Sequence, residues 1–492
     1  LAQQTRFVEG TLWMIALRWA VRGVGLLSTL ILARLLTPAD FGIVAMSTLV
    51  AGLLTAMTNM GTWQLLLRTR NPDRGAYDTA WTITLLQSLL LALAVFLAAY
   101  PASLYFKEPR LEAVIQVSAF GGVFAGLNNI GLVMFRRDLN FRMDFVTSLL
   151  TKVASVVPIL VLVLIYRNYW ALVAGRLVGA ALEAALSYVL HPYRPRLSLE
   201  RWREFASYSV WVTPANIAGY LNNKADVFIV GYLGSTSQMG AYNVAAELSQ
   251  LATGELAQPL MRSVYPNFAK LKDDMAALTS AFAKVLHTVM LLGFGFGFGT
   301  AAVADDLIHL LLGDQWTYAV PLLRWLALFG AFAIVLHTLT GHVLIVIHRE
   351  DLMFKLTWLR LIVFSASLVL AGTYGQVLDI AKAAALSTAL LMLGCLMLMP
   401  RILPQLSVWA LLRSLLGALT AATLMYWAVD LLHMQAIPFR IVRLAMDVTV
   451  GATVFSSLTL VLWVARGKPD GIESKVIELV AGRVRALRRV KR

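Results

Sequence analysis

Apolar runs of about twenty residues recur from one end of the chain to the other, broken by short polar turns. Each run is long enough to cross a hydrocarbon core of about 30 Å as a helix. Strands of a membrane barrel would instead show alternation over about ten residues. The pattern predicts an all-α polytopic membrane protein with about fourteen spans. They fall near 11–36, 41–61, 76–99, 112–135, 145–165, 169–190, 205–232, 240–261, 280–304, 318–347, 352–371, 377–399, 407–429 and 441–465. The first apolar run carries arginines and is too long for a cleavable signal, so it reads as a span.

The chain repeats itself. ILARLLTPADFGIVA (31–45) aligns with IVGYLGSTSQMGAYNVA (229–245): Leu35 meets Leu233, Thr37 meets Ser235 and Gly42 meets Gly240. SAFGGVFAGL (118–127) aligns with LALFGAFAIV (326–335), where Gly122 meets Gly330 and Phe124 meets Phe332. Spans 1–6 (1–190) and 7–12 (205–400) therefore read as two six-helix lobes in a parallel repeat. An even number of spans keeps both copies in one orientation, with the symmetry axis along the membrane normal. The linker 191–204 (HPYRPRLSLERWRE) reads as a short cytoplasmic interfacial helix with Trp202 and Phe205 facing the membrane. Residues 401–465 supply two extra C-terminal helices, and 466–492 a basic cytoplasmic tail.

Composition agrees with immersion in lipid. The chain is 59% hydrophobic and 14% charged, against about 25% charged in soluble domains, and its mean hydropathy is +0.72. The net charge of +15 suits cytoplasmic loops better than nucleic acid. Arg68, Arg70, Arg74, Arg136, Arg137, Arg142, Arg194, Arg196, Arg201, Arg203, Arg262, Lys270, Lys272, Arg349 and Lys355 all fall in even-numbered loops. Lys107, Arg110 and Arg167 are the main exceptions on the other side. The positive-inside rule then places both termini in the cytoplasm. The single cysteine, Cys395, excludes an internal disulfide and a thiolate metal cluster. No loop is long enough to fold as a catalytic domain, which argues against an enzyme. GFGFGFG (293–299) lacks the Lys and Ser/Thr of a phosphate loop. Its Gly293/Gly297 and Gly295/Gly299 spacings predict close helix packing.

Ionisable residues inside spans cost about 2.5–3.5 kcal/mol at a helix centre and mark cavities or partners. Arg18 and Arg22 share a face of span 1, one turn apart. Two guanidiniums there repel each other, and an anion between them relieves this; the alternative is snorkelling to the headgroups, easier for Arg18 than for Arg22. Lys152, Arg176, Lys224, Arg324, Arg360 and Lys382 are further intramembrane cations, Arg360 within snorkelling reach of the cytoplasm. Asn216, Tyr220 and Asn223 form a polar stripe on span 7, flanked by Lys224 and Asp226. Asn222 and Asp226 are one turn apart, within bonding reach. Two readings stand: Asn223 and Lys224 bond an anionic ligand while Asp226 binds a coupling ion, or Lys224 and Asp226 neutralise each other. Glu247 and Glu255 on span 8 are candidates for ion coupling or for pairing. His287, His337 and His342 suit no common metal motif and read as hydrogen-bonded structural residues. The tail, ending ELVAGRVRALRRVKR, suits a helix on anionic lipid or a solvated basic tail.

LARLLTPADFG after span 1, LNNKADVFIVGYLGSTSQMGAYNVA across spans 7–8 and LLGDQWTYAVPLLRWLAL (311–328) resemble the polysaccharide-transport branch of the MOP exporter superfamily. These are the Wzx-type flippases, and length and loops resemble the colanic-acid exporter group. The resemblance covers spans 1–12. It implies a V-shaped bundle working by alternating access in the bacterial inner membrane. It also implies an undecaprenyl-diphosphate-linked oligosaccharide as substrate, moved to the periplasmic leaflet. No cofactor is implied beyond coupling to a proton or sodium gradient; anionic lipids and polysaccharide polymerase machinery are the expected partners. Related lipid II flippases carry arginines in span 1, which implies diphosphate binding for Arg18 and Arg22. Lys152, Arg176, Lys224 and Arg324 agree with that chemistry, and Asn216, Tyr220 and Asn223 with sugar binding. A lipid II flippase, a multidrug antiporter using Asp226, Glu247 and Glu255, and an embedded polymerase or ligase are the alternatives.

Overall fold

The computed structural model describes residues 2–58, 61–68, 72–138, 140–432, 439–467 and 474. All regular structure among them is helical. The first half holds α1 (Ala2–Leu35), α2 (Pro38–Thr58), α3 (Thr62–Arg68), α4 (Arg74–Tyr105), α5 (Arg110–Gly126), α6 (Leu132–Arg137), α7 (Phe141–Tyr166), α8 (Tyr169–Leu190) and α9 (Trp202–Leu233). The second holds α10 (Thr236–Lys270), α11 (Met275–Ala302), α12 (Ala304–Leu311), α13 (Ala319–Thr340), α14 (His342–Val346), α15 (Glu350–Tyr374), α16 (Val377–Ile402), α17 (Val408–Leu432) and α18 (Arg440–Ala465). Among the described residues 10 segments are long and apolar enough to cross a membrane: α2, α4, α7, α8, α11, α13 with α14, and α15 to α18. The other expected spans fall on α1, α5 with α6, α9 and α10, whose sequences carry more polar residues.

Local chemistry sets the helix starts. The Asp73 carboxylate accepts from Ala76 N–H at 3.0 Å, and Asn168 Oδ1 from Ala171 N–H at 3.0 Å. Asp274 takes the N–H groups of Ala276 and Ala277. These side chains satisfy donors that a helix start leaves without intrahelical partners.

The chain forms two compact units, Leu1–Ala241 and Tyr242–Arg492. In the first, α4 packs on α5, α5 on α8, and α7 on both α8 and α1. In the second, α11 packs on α13, α13 on α16, and α15 on α16. Three pairings recur in the same chain order: α4–α5 with α11–α13, α5–α8 with α13–α16, and α7–α8 with α15–α16. So does a shared interruption: α5 breaks before the short α6, and α13 breaks at Gly341 before the short α14. The lobe boundaries 1–190 and 205–400 describe the sequence repeat, whereas the compact units follow packing, because α9 packs on α2.

The glycine run packs as its spacing indicates. A Cβ on Gly293 would come within 2.7 Å of Ile334 Cγ2, and one on Gly297 within 2.8 Å of the Ala327 carbonyl oxygen, both on α13. Gly295 and Gly299 face Phe455 of α18 and Met425 of α17. One helix thus meets three neighbours through two faces of small residues.

The linker differs from expectation. Residues 191–199 have no helical structure, and α9 begins at Trp202. Pro192 and Pro195 lack the N–H a helix needs. The strand-like linker is instead tied to α4: Asp78 Oδ1 accepts from Tyr193 OH (2.8 Å) and Arg196 N–H (3.0 Å), and Thr82 Oγ1 from Ser198 N–H (2.9 Å). Trp202 is exposed, but Phe205 is buried among Leu66, Tyr77, Ala80 and Ile83 rather than facing the membrane. Residues 468–492 except Ser474, Arg70, and the side chains of Arg18, Arg68, Arg136, Glu255, Arg262 and His342 lie outside the described residues.

Candidate functional site

In the first unit α1 lies along α7, so a Cβ on Gly25 would sit 3.9 Å from Lys152 Cε. Arg22, three residues before Gly25, is exposed on α1. Lys152 lies well inside α7, and both it and Glu183 of the adjacent α8 are half-buried. Arg176, also on α8, donates from its Nη1 to Thr48 Oγ1 on α2 at 2.9 Å. Helix packing therefore joins Arg176 to Thr48, a pairing that sequence spacing did not indicate.

On α9 the polar stripe divides. Tyr220 OH donates to the Leu49 carbonyl of α2 at 2.7 Å, and its ring lies against Gly52. A side chain at Gly52 would occupy the space of that ring. Asn223 is exposed; Asn216 and Lys224 are half-buried. Asn222 Nδ2 donates back to the Ala218 carbonyl at 3.1 Å, so a backbone acceptor one turn earlier takes the amide that could have met Asp226. Asp226 is buried at 6% exposure between buried Ala225 and Val227.

The second unit holds Glu247, exposed on α10, and Arg324, half-buried on α13. The Arg324 Nε is buried without a hydrogen-bond partner among the described residues. Lys382 pairs with Asp379 at 2.8 Å. Arg443, which sequence reasoning did not single out, forms a bidentate pair with Asp306 of α12, whose residue exposure is 1%. Arg360 Nη1 lies 3.1 Å from His337 Nε2 on α13. His287 Nδ1 lies 2.6 Å from Ser414 Oγ, in keeping with a structural histidine.

A polar knot ties the starts of α2, α8 and α10 to the α4–α5 turn. Glu108, 9% exposed, accepts from Arg110 Nε and Nη2 (2.8 Å each) and from Thr236 Oγ1 (2.8 Å). The Arg110 guanidinium beside it, with the Thr236 hydroxyl, overcomes the burial cost and holds its carboxyl down at about 2. Asp40 accepts from Thr37 N–H (3.0 Å) and Tyr169 N–H (3.1 Å). Here the two repeat turns meet reciprocally: a Cβ on Gly42 would strike the Thr236 carbonyl, and one on Gly240 the Pro38 carbonyl. The signal for this contact was already present as matched glycines in the two copies.

A helical bundle with a doubled unit and cations inside its spans is the architecture of a membrane transporter. The chain belongs to the polysaccharide biosynthesis protein family, whose model matches residues 31–321. It is 21% identical to the lipopolysaccharide biosynthesis protein WzxC of Escherichia coli (strain K12), over 76% of each chain. It is 24% identical to the succinoglycan biosynthesis transport protein ExoT of Rhizobium meliloti (strain 1021), over 64% of each. The fold is that of the lipid II flippase MurJ in an inward closed conformation (TM-score 0.71, 13% identity, covering 92% of this chain and 99% of that one). An inward-facing multidrug resistance MATE family transporter of the MOP superfamily is also similar (TM-score 0.56, 13% identity, covering 79% and 94%).

Proposed function

We propose that the protein is a flippase that carries undecaprenyl-diphosphate-linked oligosaccharide units from the cytoplasmic to the periplasmic leaflet for surface polysaccharide synthesis. The carrying observation is a set of cations on packed helices of the first unit: Arg22, Lys152 and Arg176 on α1, α7 and α8, with Lys152 beside Gly25 of α1. A diphosphate is dianionic or more and needs such cations when it leaves water. Family membership and the transport and flippase names of the relatives support the same reading. Arg18 on α1, Asn216, Tyr220, Asn223 and Lys224 on α9, and Arg324 on α13 complete the candidate contacts for diphosphate and sugar. Asp226, Glu247 and Glu255 are the candidates for coupling to a proton or sodium gradient. The protein sits in the bacterial inner membrane with both termini cytoplasmic, supported by the loop charges. The Glu108 knot then lies at the periplasmic ends of the helices, where alternating access requires it to open. Anionic lipids and the polymerase that uses the product are the partners.

Proteoliposomes with a fluorescent diphosphate-linked oligosaccharide lipid test this. Intact protein should carry the lipid between leaflets, so that a membrane-impermeant quencher reaches it. Transport of an organic cation with no movement of the lipid would replace the flippase by an antiporter.

A further inference from the structure

Arg360 lies ten residues beyond Glu350, the start of α15, about 15 Å along the helix axis. Its partner is a histidine rather than a carboxylate. Guanidinium is always charged and only donates. His337 Nε2, 3.1 Å from Arg360 Nη1, is therefore the acceptor, and the imidazole is neutral in this arrangement. One Nη1 donor is used; the Nε and Nη2 donors keep the planar fork that suits phosphate oxygens. Among the described residues no carboxylate bonds Arg360.

The surrounding titratable groups do not supply the missing anion. Cys395 of α16 is a buried free thiol. On α11, His287 is turned to Ser414 and Lys284 is exposed. On α15 itself, Asp351 pairs with Arg349 and Lys355. Asp379 pairs with Lys382, while Asp305 and Asp306 of α12 meet His309 and Arg443. Among the described residues, this cation inside a span is held by a neutral ring and meets no carboxylate.

We propose that Arg360 and His337 form a proton-linked anion site that takes the diphosphate oxygens of the lipid-linked substrate, an inference that rests on the flippase reading above. When the anion engages the Arg360 fork, Nε2 of His337 takes a proton from water and donates to the anion. When the anion leaves, the proton returns to water. Each binding event thus moves one proton onto the protein, and no other bond changes. Because proton and anion favour each other's binding, affinity rises as pH falls, by the same factor in both directions.

The test is calorimetric titration of the full-length protein in phosphatidylcholine nanodiscs with undecaprenyl diphosphate and with inorganic pyrophosphate. Running it in two buffers of different ionisation enthalpy counts the protons taken up. Intact protein should take up about one proton per diphosphate near neutrality, and bind about tenfold tighter at about pH 6 than at about pH 8. His337→Gln should keep binding and lose the proton uptake and the pH dependence. Arg360→Ala should weaken binding about tenfold, with partial recovery in Arg360→Lys; unfolding midpoints confirm that each variant is folded. Wild-type affinity and uptake in both His337→Gln and Arg360→Ala, alongside loss of binding in Arg22→Ala, would overturn this inference and leave the flippase reading standing. No diphosphate binding by intact protein would overturn both. A third arm adds phosphatidylglycerol: if that lipid abolishes uptake, the site serves membrane phosphate and the substrate assignment fails.

Discussion

At the junction of α12 and α18, Arg443 meets Asp306 and Arg440 meets Asp314 at 3.0 Å. Midway along α7 and α8, Lys152 lies beside Gly25 of α1, and Arg176 donates to a hydroxyl. The first region matches each cation with its own carboxylate at a helix end. The second gathers Lys152 and Arg176 inside the spans, with Arg22 on the neighbouring α1. Matched pairs hold helices to one another. Cations inside a span are expensive, and they mark a partner, a cavity or a ligand.

Four perturbations would break or sharpen that contrast, from the largest effect downward. Arg443→Ala leaves Asp306 buried and alone and should cost about 3–5 kcal/mol in detergent unfolding. The double change Arg443→Met with Asp306→Leu should recover most of it, since an apolar pair of similar volume is often neutral. Lost transport with unchanged stability in Arg443→Ala would move this pair from anchor to site. Gly297→Leu forces α11 away from Ala327 and Ala331 and should cost about 1–3 kcal/mol in the same assay.

Tyr220→Phe keeps the ring proposed as a sugar contact but removes the donor to the Leu49 carbonyl, and should cost about 0.5–1.5 kcal/mol of stability with most sugar-lipid affinity kept. A large affinity loss would show that the hydroxyl leaves α2 to meet substrate. The smallest effect is the pH response of the Glu108 knot. Its carboxyl is lowered to about 2, against about 4.3 in an unfolded chain. A lowered carboxyl contributes stability above the unfolded value and loses it as pH falls through the folded one. The contribution should be flat from about pH 9 to 5 and fall between about pH 4.3 and 2. Glu108→Gln should remove part of that fall in melting curves.

Most of the span pattern was legible because a bilayer imposes length and apolarity directly on the sequence. The Gly293–Gly299 packing and the Gly42/Gly240 match were legible for a similar reason: close approach admits only small residues. The linker was misread because its basic and apolar residues suggested a surface helix, while Pro192, Pro195 and the acceptors of Asp78 and Thr82 decided for an extended path. The charge partners were not legible at all. Arg443 and Asp306 lie 137 positions apart, and Arg360 and His337 lie 23 apart. Which cation meets which acid depends on helix rotation and crossing, and those follow from packing around the whole unit. The same limit holds for α9, where one stripe of residues is split between a neighbouring backbone and open surface.

The most direct measurement is leaflet exchange of a diphosphate-linked oligosaccharide lipid in proteoliposomes, comparing intact protein, Arg22→Ala and Lys152→Ala at matched unfolding midpoints. On the proposed function, Arg22 and Lys152 contact the diphosphate: intact protein should move the lipid, and each variant should slow exchange by at least about tenfold, or about 1.4 kcal/mol. Full-rate exchange by both variants would contradict that assignment and leave the excess positive charge of α1 and α7 without the diphosphate as its partner.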